Sequence, residues 1–215
     1  MPTSEELAFS CIYNGATNAA MHYIKETGFN IENEKGKDYL DAAINNNNPD
    51  LVLFIIENSE VDVNRIKEGY TPLQHAVFRA EQNDYSVIEI LLEKGADVNK
   101  KANDLSMSPL YISISNRDTE LVKYLIDKGA DVNEVINSKG DTILHQAVRS
   151  FDDVSVIEKI IDAGADINKK NIFENTPIDI ASKIENIKVE ELLKDCKNEK
   201  GENESIEEKQ STTST

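Results

Sequence analysis

The sequence predicts an all-α solenoid of stacked helix-turn-helix units joined by hairpin-like loops, about six units counting the terminal caps. Two phrases that recur in register carry that expectation. The first is LLEKGADVN at residues 91–99, YLIDKGADVN at 124–133 and IIDAGADIN at 160–168. Its closing residue falls at Asn64, Asn99, Asn133 and Asn168, in steps of 35, 34 and 35. The second is GYTPLQHAV at 69–77, SMSPLYISI at 106–114, GDTILHQAV at 140–148 and ENTPIDIAS at 174–182, with a weaker copy, GKDYLDAAI, at 36–44. Units repeating at this period bury their apolar faces only by stacking on neighbours.

Along the chain the units read 4–33, 34–66, 67–101, 104–135, 138–170 and 172–195. The first is degenerate: Thr3 and Glu6 have capping-box spacing, and Leu7, Ser10, Cys11, Tyr23, Ile24, Gly28, Asn30 and Ile31 trace the rest. Each phrase has a local physical role. Thr71-Pro72 and Thr176-Pro177 place a hydroxyl at the N-cap and a fixed φ at the first helical position. Gln74 stands three residues after Thr71, where it completes a capping box. Small pairs follow, Ala42-Ala43, Ala76-Val77, Ala147-Val148 and Ala181-Ser182, which let helices approach closely. A second apolar stripe, such as Leu121, Val122, Leu125 and Ile126, has helical spacing. Gly95, Gly129 and Gly164 then supply the left-handed residue that ends that helix.

This pattern resembles the ankyrin repeat family, whose Gly-x-Thr-Pro-Leu-His, small pair and Leu-Leu-x-x-Gly-Ala-Asp-Val-Asn are matched across residues 36–193. The departures carry information. The His that the family uses for bonding between repeats survives only as His145; Asp41, Gln74, Tyr111 and Asp179 replace it, so that bond is not expected in most units. Thr71 to Asn99 spans 28 positions against 25 for Ser108 to Asn133, so a longer turn is expected between the helices of the third unit. Glu174 replaces a loop Gly, which argues against a tight hairpin before the last unit. The last unit lacks the Gly-Ala-Asp phrase and is rich in Lys and Glu, as expected of a cap. Residues 196–215 are nearly devoid of apolar side chains and are expected to form a disordered acidic tail.

Composition narrows the function. With 23 Lys and Arg against 40 Asp and Glu, the formal charge of -17 repels phosphate backbones, so nucleic acid is not expected as a partner, whereas a basic protein is compatible. Two distant cysteines, Cys11 and Cys196, form no metal or redox spacing and fit a reducing compartment. The N-terminus lacks a signal-peptide pattern, and the longest apolar run, 51–56, is too short for a bilayer. A cytoplasmic monomer without membrane contact is the expectation; secretion by a route needing no such signal leaves no trace in sequence.

Catalytic frames are absent: no Gly-x-x-x-x-Gly-Lys-Ser/Thr, His-Glu-x-x-His, Gly-x-Ser-x-Gly or Gly-x-Gly-x-x-Gly occurs. Asp131-x-Asn133 opens like a calcium loop, but Val135 fills the next ligand position. Cys11 with His22 has the residue types of a thiolate and base, yet Cys11 falls in a small-residue slot of a first helix and reads as a buried hydrophobe. His145 reads as the capping partner of Thr142, and His75, one position past that slot, as a partly exposed contact. The chain is therefore expected to be no enzyme and to need no cofactor or metal.

A protein-binding scaffold is the expected function, with an inhibitor or delivered effector that blocks one enzyme as the alternative. In the family, partners dock on the concave side formed by hairpin tips and the outer face of first helices. The positions matching that side nominate Tyr70, Phe78, Arg79, Leu105, Met107, Asp141, Arg149 and Phe173, with Tyr70, Phe78, Arg79, Leu105 and Met107 expected to cluster. The resemblance also implies hydroxylation of the closing Asn, best matched at Asn99 and Asn133. Local hydrogen bonding by Asp and Asn explains these residues without it.

Overall fold

The computed structural model describes residues 1–27, 38–80, 84–102 and 107–197. Residues 28–37, 81–83, 103–106, which include Leu105, and 198–215 lie outside the described residues. Every regular element described is a helix; the hairpins contribute only isolated bridges, Lys67 with Tyr70, Ala102 with Met107 and Val135 with Thr142. The all-α reading of the sequence holds.

The chain forms two compact units. One comprises Met1–Leu121 with Lys128–Ala130, the other Val122–Asp127 with the residues from Asp131 on. In the first unit, α1 (Ser4–Tyr13), α3 (Tyr39–Asn45), α5 (Pro72–Arg79) and α7 (Pro109–Ser115) are the first helices of successive repeats. Second helices are α2 (Thr17–Glu26), α4 (Pro49–Asn58) and α6 (Ser86–Glu93), while α8 (Thr119–Asp127) starts in this unit and has its body in the other. First helices pack on first helices, α1 on α3, α3 on α5 and α5 on α7, and second on second, α2 on α4 and α4 on α6. Small residues make this possible: Ala8, Ala43 and Val77 are fully buried where the helices meet. The second unit adds α9 (Ile143–Ser150), α10 (Val154–Asp162), α11 (Pro177–Lys183) and α12 (187–197), with α9 against both α10 and α11. Helix α12 includes Cys196 and Lys197, two residues past the boundary expected at 195.

The caps form as the sequence specifies. Thr3 Oγ1 accepts from the Glu6 amide at 3.2 Å while Glu6 Oε2 accepts from Thr3 N–H at 3.1 Å. Thr71 and Gln74 do the same at 3.1 and 2.7 Å. The long turn is present too: six residues separate α5 from α6, against three between α7 and α8. In the short turns a left-handed residue redirects the chain, Gly15, Asn47, Arg117 and Glu185, of which only the first is free of a Cβ penalty.

Each Asp and closing Asn of the repeated phrase has a distinct task. The Asp binds its own hairpin, as Asp131 Oδ1 accepts from the Asn133 amide at 2.8 Å. The Asn reaches the next repeat: Asn64 Nδ2 donates to Gly95 O at 2.9 Å and its Oδ1 accepts from Asp97 N–H at 2.7 Å. Asn133 repeats this with Gly164 O and the Asp166 amide, both at 2.9 Å. The period of the phrase is thus the period of an inter-repeat hydrogen bond.

Two expectations are corrected. Glu174 does not prevent a tight hairpin: it adopts φ 59°, donates its N–H to Asn171 O at 3.0 Å, and Asn171 N–H closes on Asn175 O at 3.0 Å. The Asn171 carboxamide holds the turn by accepting from the Phe173 and Asn175 amides. Nor does loss of His abolish the inter-repeat bond in the third unit. Gln74 Nε2 donates to Met107 O, as His145 Nε2 reaches Asn175 O at 3.0 Å in the fifth. A carboxamide carries both an acceptor for the cap and a donor for the neighbour, as imidazole does. The carboxylate of Asp179 accepts from Thr176 N–H at 2.8 Å but has no donor to extend.

Candidate functional site

An open cleft of about 600 Å³ lies in the first unit, lined by residues of α1, α3 and α5 and of the hairpin that ends at Tyr70. Its walls are aromatic. Phe9 and Tyr13 come from α1, Phe78 from α5, and Tyr70 from the residue before the α5 cap. Tyr70 meets Phe78 edge-on, with ring centroids 5.2 Å apart, and Phe78 remains 42% exposed. Phe9 is fixed from behind by Tyr39, stacked at 4.6 Å.

The floor is an ion-pair network. Asp38 caps α3 by accepting from the Leu40 and Asp41 amides at 2.8 and 3.1 Å. Its other oxygen meets Arg65 Nη1 at 2.5 Å and Lys67 Nζ at 3.4 Å. Arg65 Nη2 also reaches Asp41 at 3.2 Å. Burial works to raise the Asp38 pKa, but the Arg65 hydrogen bond and charge, the backbone donor and Lys67 outweigh it and hold the carboxyl below its ordinary 3.8. Asp41 goes the other way, raised by burial and then by the Asp38 charge. His75 is lowered, chiefly by burial, with Arg79 adding to the effect and Asp41 and Glu68 opposing it.

This placement sorts the residues nominated from the sequence. Tyr70, Phe78 and Arg79 line one cleft. Met107 is half-buried and is not among the lining residues. Asp141, in the second unit, is no exposed contact: it is 4% exposed, and its carboxylate accepts from Asn171 at 2.8 Å, Asn137 at 3.1 Å and Arg149 at 3.2 Å. Burial opposes these bonds, yet together they lower its pKa. Asp141 positions the hairpins, and Arg149 is held by it. Phe173 is 60% exposed beside Ile172 at the last hairpin. Asn99 and Asn133 are exposed, but each donates its amide to the next repeat, Asn99 to Gly129 O at 3.0 Å.

Sequence reasoning missed Tyr13, Phe9, Asp41 beside His75, and the Arg65 bridge. Tyr13 was legible by another route. Counted back from the left-handed turn residue rather than forward from the cap, Tyr13 before Gly15 matches Asn45 before Asn47. Arg65 gave no such signal, because its partners Asp38 and Asp41 lie at the far end of its own unit.

Cys11 is half-buried rather than buried, and His22 contacts Glu26 at 3.4 Å. His145 is fully buried; its Nδ1 accepts from Thr142 N–H at 3.2 Å, which leaves Nε2 as the protonated nitrogen facing Asn175 O. Among the described residues no group of three His, Cys, Asp or Glu side chains is placed to hold a metal ion, and no helix is long and apolar enough to cross a membrane.

A family profile described as ankyrin repeats in three copies matches residues 8–102 and again 80–171. The chain belongs to the ankyrin repeat family. An ankyrin repeat protein of Fowlpox virus (strain NVSL) is 31% identical over 159 residues, which cover 71% of this chain and 45% of the viral protein. The mitochondrial disaggregase of Bos taurus is 28% identical over 159 residues, covering 70% of this chain and 22% of that protein. An ankyrin repeat protein of Rickettsia felis is 31% identical over 101 residues, covering 45% of this chain and 32% of its own length. The chain thus spans less than half the length of these relatives. Ankyrin repeats are generally modules for protein–protein interaction, and the fold is a non-catalytic one.

Proposed function

We propose that this ankyrin repeat chain binds a protein partner through the cleft lined by Tyr70, Phe78 and Arg79, on the face that corresponds to the concave side in the family, with no catalysis of its own. The single observation that carries the reading is the aromatic pair in the cleft wall, Phe78 exposed and Tyr70 half-buried. Tyr70 and Phe78 form a fixed edge-to-face wall with Arg79 beside it, and Tyr and Arg dominate interface hot spots. A wall of that kind left open to water in so charged a chain is an interaction surface. Hydroxylation of Asn99 or Asn133 remains a separate proposal, resting on family resemblance; mass spectrometry of the chain from its source would show the gain of one oxygen.

Affinity capture from a lysate tests the binding reading by comparing the native chain with Tyr70→Ala, Phe78→Ala and Arg79→Ala combined. Capture of one protein that the folded variant loses supports it. Equal capture by both moves the contact face elsewhere. Should the captured partner be an enzyme whose activity falls on binding, the inhibitor reading replaces that of a scaffold.

A further inference from the structure

The cleft is a charge-balanced aromatic recess in a strongly acidic molecule. The chain has seven tyrosines and six phenylalanines, and four of these, Phe9, Tyr13, Tyr70 and Phe78, line this one recess. At its floor the charges cancel: Asp38 and Asp41 are met by Arg65 and Lys67. Burial is the leading cause that raises Asp41 and lowers His75, so both are pushed toward their uncharged forms. Arg79 and Glu68, one of each sign, are exposed at the rim.

These features decide what the recess accepts. A cation entering it would find Asp38 and Asp41 already paired and would approach Lys67 and Arg79; an anion would face Asp41 and Glu68. At the floor either would lose hydration with no free counter-charge there, Arg79 and Glu68 standing out at the exposed rim. An apolar side chain loses nothing of the kind and gains the ring surfaces of Tyr13, Tyr70 and Phe78. Outside the recess the field is that of a chain with formal charge -17, which attracts basic residues. We propose that the recess takes one large apolar side chain, aromatic or aliphatic, from a segment of a partner protein in which basic residues flank that anchor. The rings of Tyr70 and Phe78 hold the anchor. Arg79, with donors only, binds backbone carbonyls of the segment, and the flanking bases lie over the acidic surface beyond the rim.

This assignment rests on the cleft being the contact face, so the test separates the two. The isotope-labelled full chain is titrated with three synthetic peptides: a phenylalanine with two lysines on each side, the same peptide with serine at the centre, and phenylalanine flanked by glutamates. Saturable amide shifts at Ala42, Asn45 and His75 are expected with the first. Affinity should fall about tenfold or more with either of the others, and on Tyr70→Ala with Phe78→Ala in a chain whose circular dichroism is unchanged. Raising the salt concentration should weaken the lysine peptide. Equal binding of the serine peptide would reduce the effect to charge alone and overturn the proposal. Equal binding of the glutamate peptide, or no shift with any, would overturn it as well, while the contact-face reading would stand if the capture variant still lost its partner.

Discussion

At the scale of the residue, backbone conformation and side-chain chemistry part company at a few positions, and those positions are testable. Glu174 sits at φ 59°, in the region that glycine occupies without penalty, because Asn171 holds the turn from both sides. The family pattern places Gly there. Glu174→Gly is expected to stabilise the chain by about 1 kcal/mol through relief of left-handed strain, offset by the greater entropy of the unfolded glycine. The exposed contact of Glu174 with Lys170 that is lost in the exchange adds little. A higher midpoint in urea for the variant would bear this out; an unchanged or lower one would mean that the turn carries no strain.

At the scale of the element, one side chain joins helix start to neighbouring hairpin in the third and fifth units. In the third unit that side chain is Gln74, buried, accepting from Thr71 N–H and donating to Met107 O. Gln74→Leu removes both bonds and leaves a buried N–H and carbonyl without partners, for an expected loss of about 2 kcal/mol. Gln74→His restores an acceptor and a donor in the geometry seen at His145 and should recover most of that loss. Denaturant unfolding of the two variants decides the point: equal destabilisation would show that bulk, rather than the bonding pattern, matters at this position. The same element logic was only half legible in sequence. The capping role followed from spacing alone, but whether a given residue also spans to the next repeat depends on having a donor to spare.

At the scale of the whole molecule, titration links charge to stability. His75 is depressed from its ordinary 6.5, so the folded chain binds fewer protons there, and its contribution is present above pH 6.5 and is lost as pH falls through the lower folded value. Asp38 and Asp141 are depressed below 3.8; their stabilisation is intact above that value and is lost as acid reaches their folded pKa values. Asp41, raised above 3.8, acts with the opposite sign and favours the fold as pH drops toward that value. Stability should therefore decline on acidification in two stages, below about pH 6.5 and again below about 3.8. His75→Gln is expected to remove the first stage, and Asp38→Asn to shrink the second. Unfolding midpoints measured against pH check both, and a single acid transition unaffected by His75→Gln would contradict the first.

What the sequence determined by itself is everything that depends on neighbours close in the chain. Helix starts at Thr71 and Thr176, stops at Gly95, Gly129 and Gly164, and the longer turn after Arg79 all follow from spacing, because caps and left-handed stops are satisfied within a few residues. The repeat period, and with it the family, is legible for the same reason. Tertiary structure decided which side chains far apart in the chain meet. It placed Tyr13 with Tyr70 and Phe78, set Arg65 under Asp38 and Asp41 from a hairpin 24 residues away from Asp41, and turned Asp141 from a surface candidate into a buried support. Those outcomes rest on hydrogen bonds and ring contacts between residues far apart in the chain, and only the packed repeats bring such residues within reach.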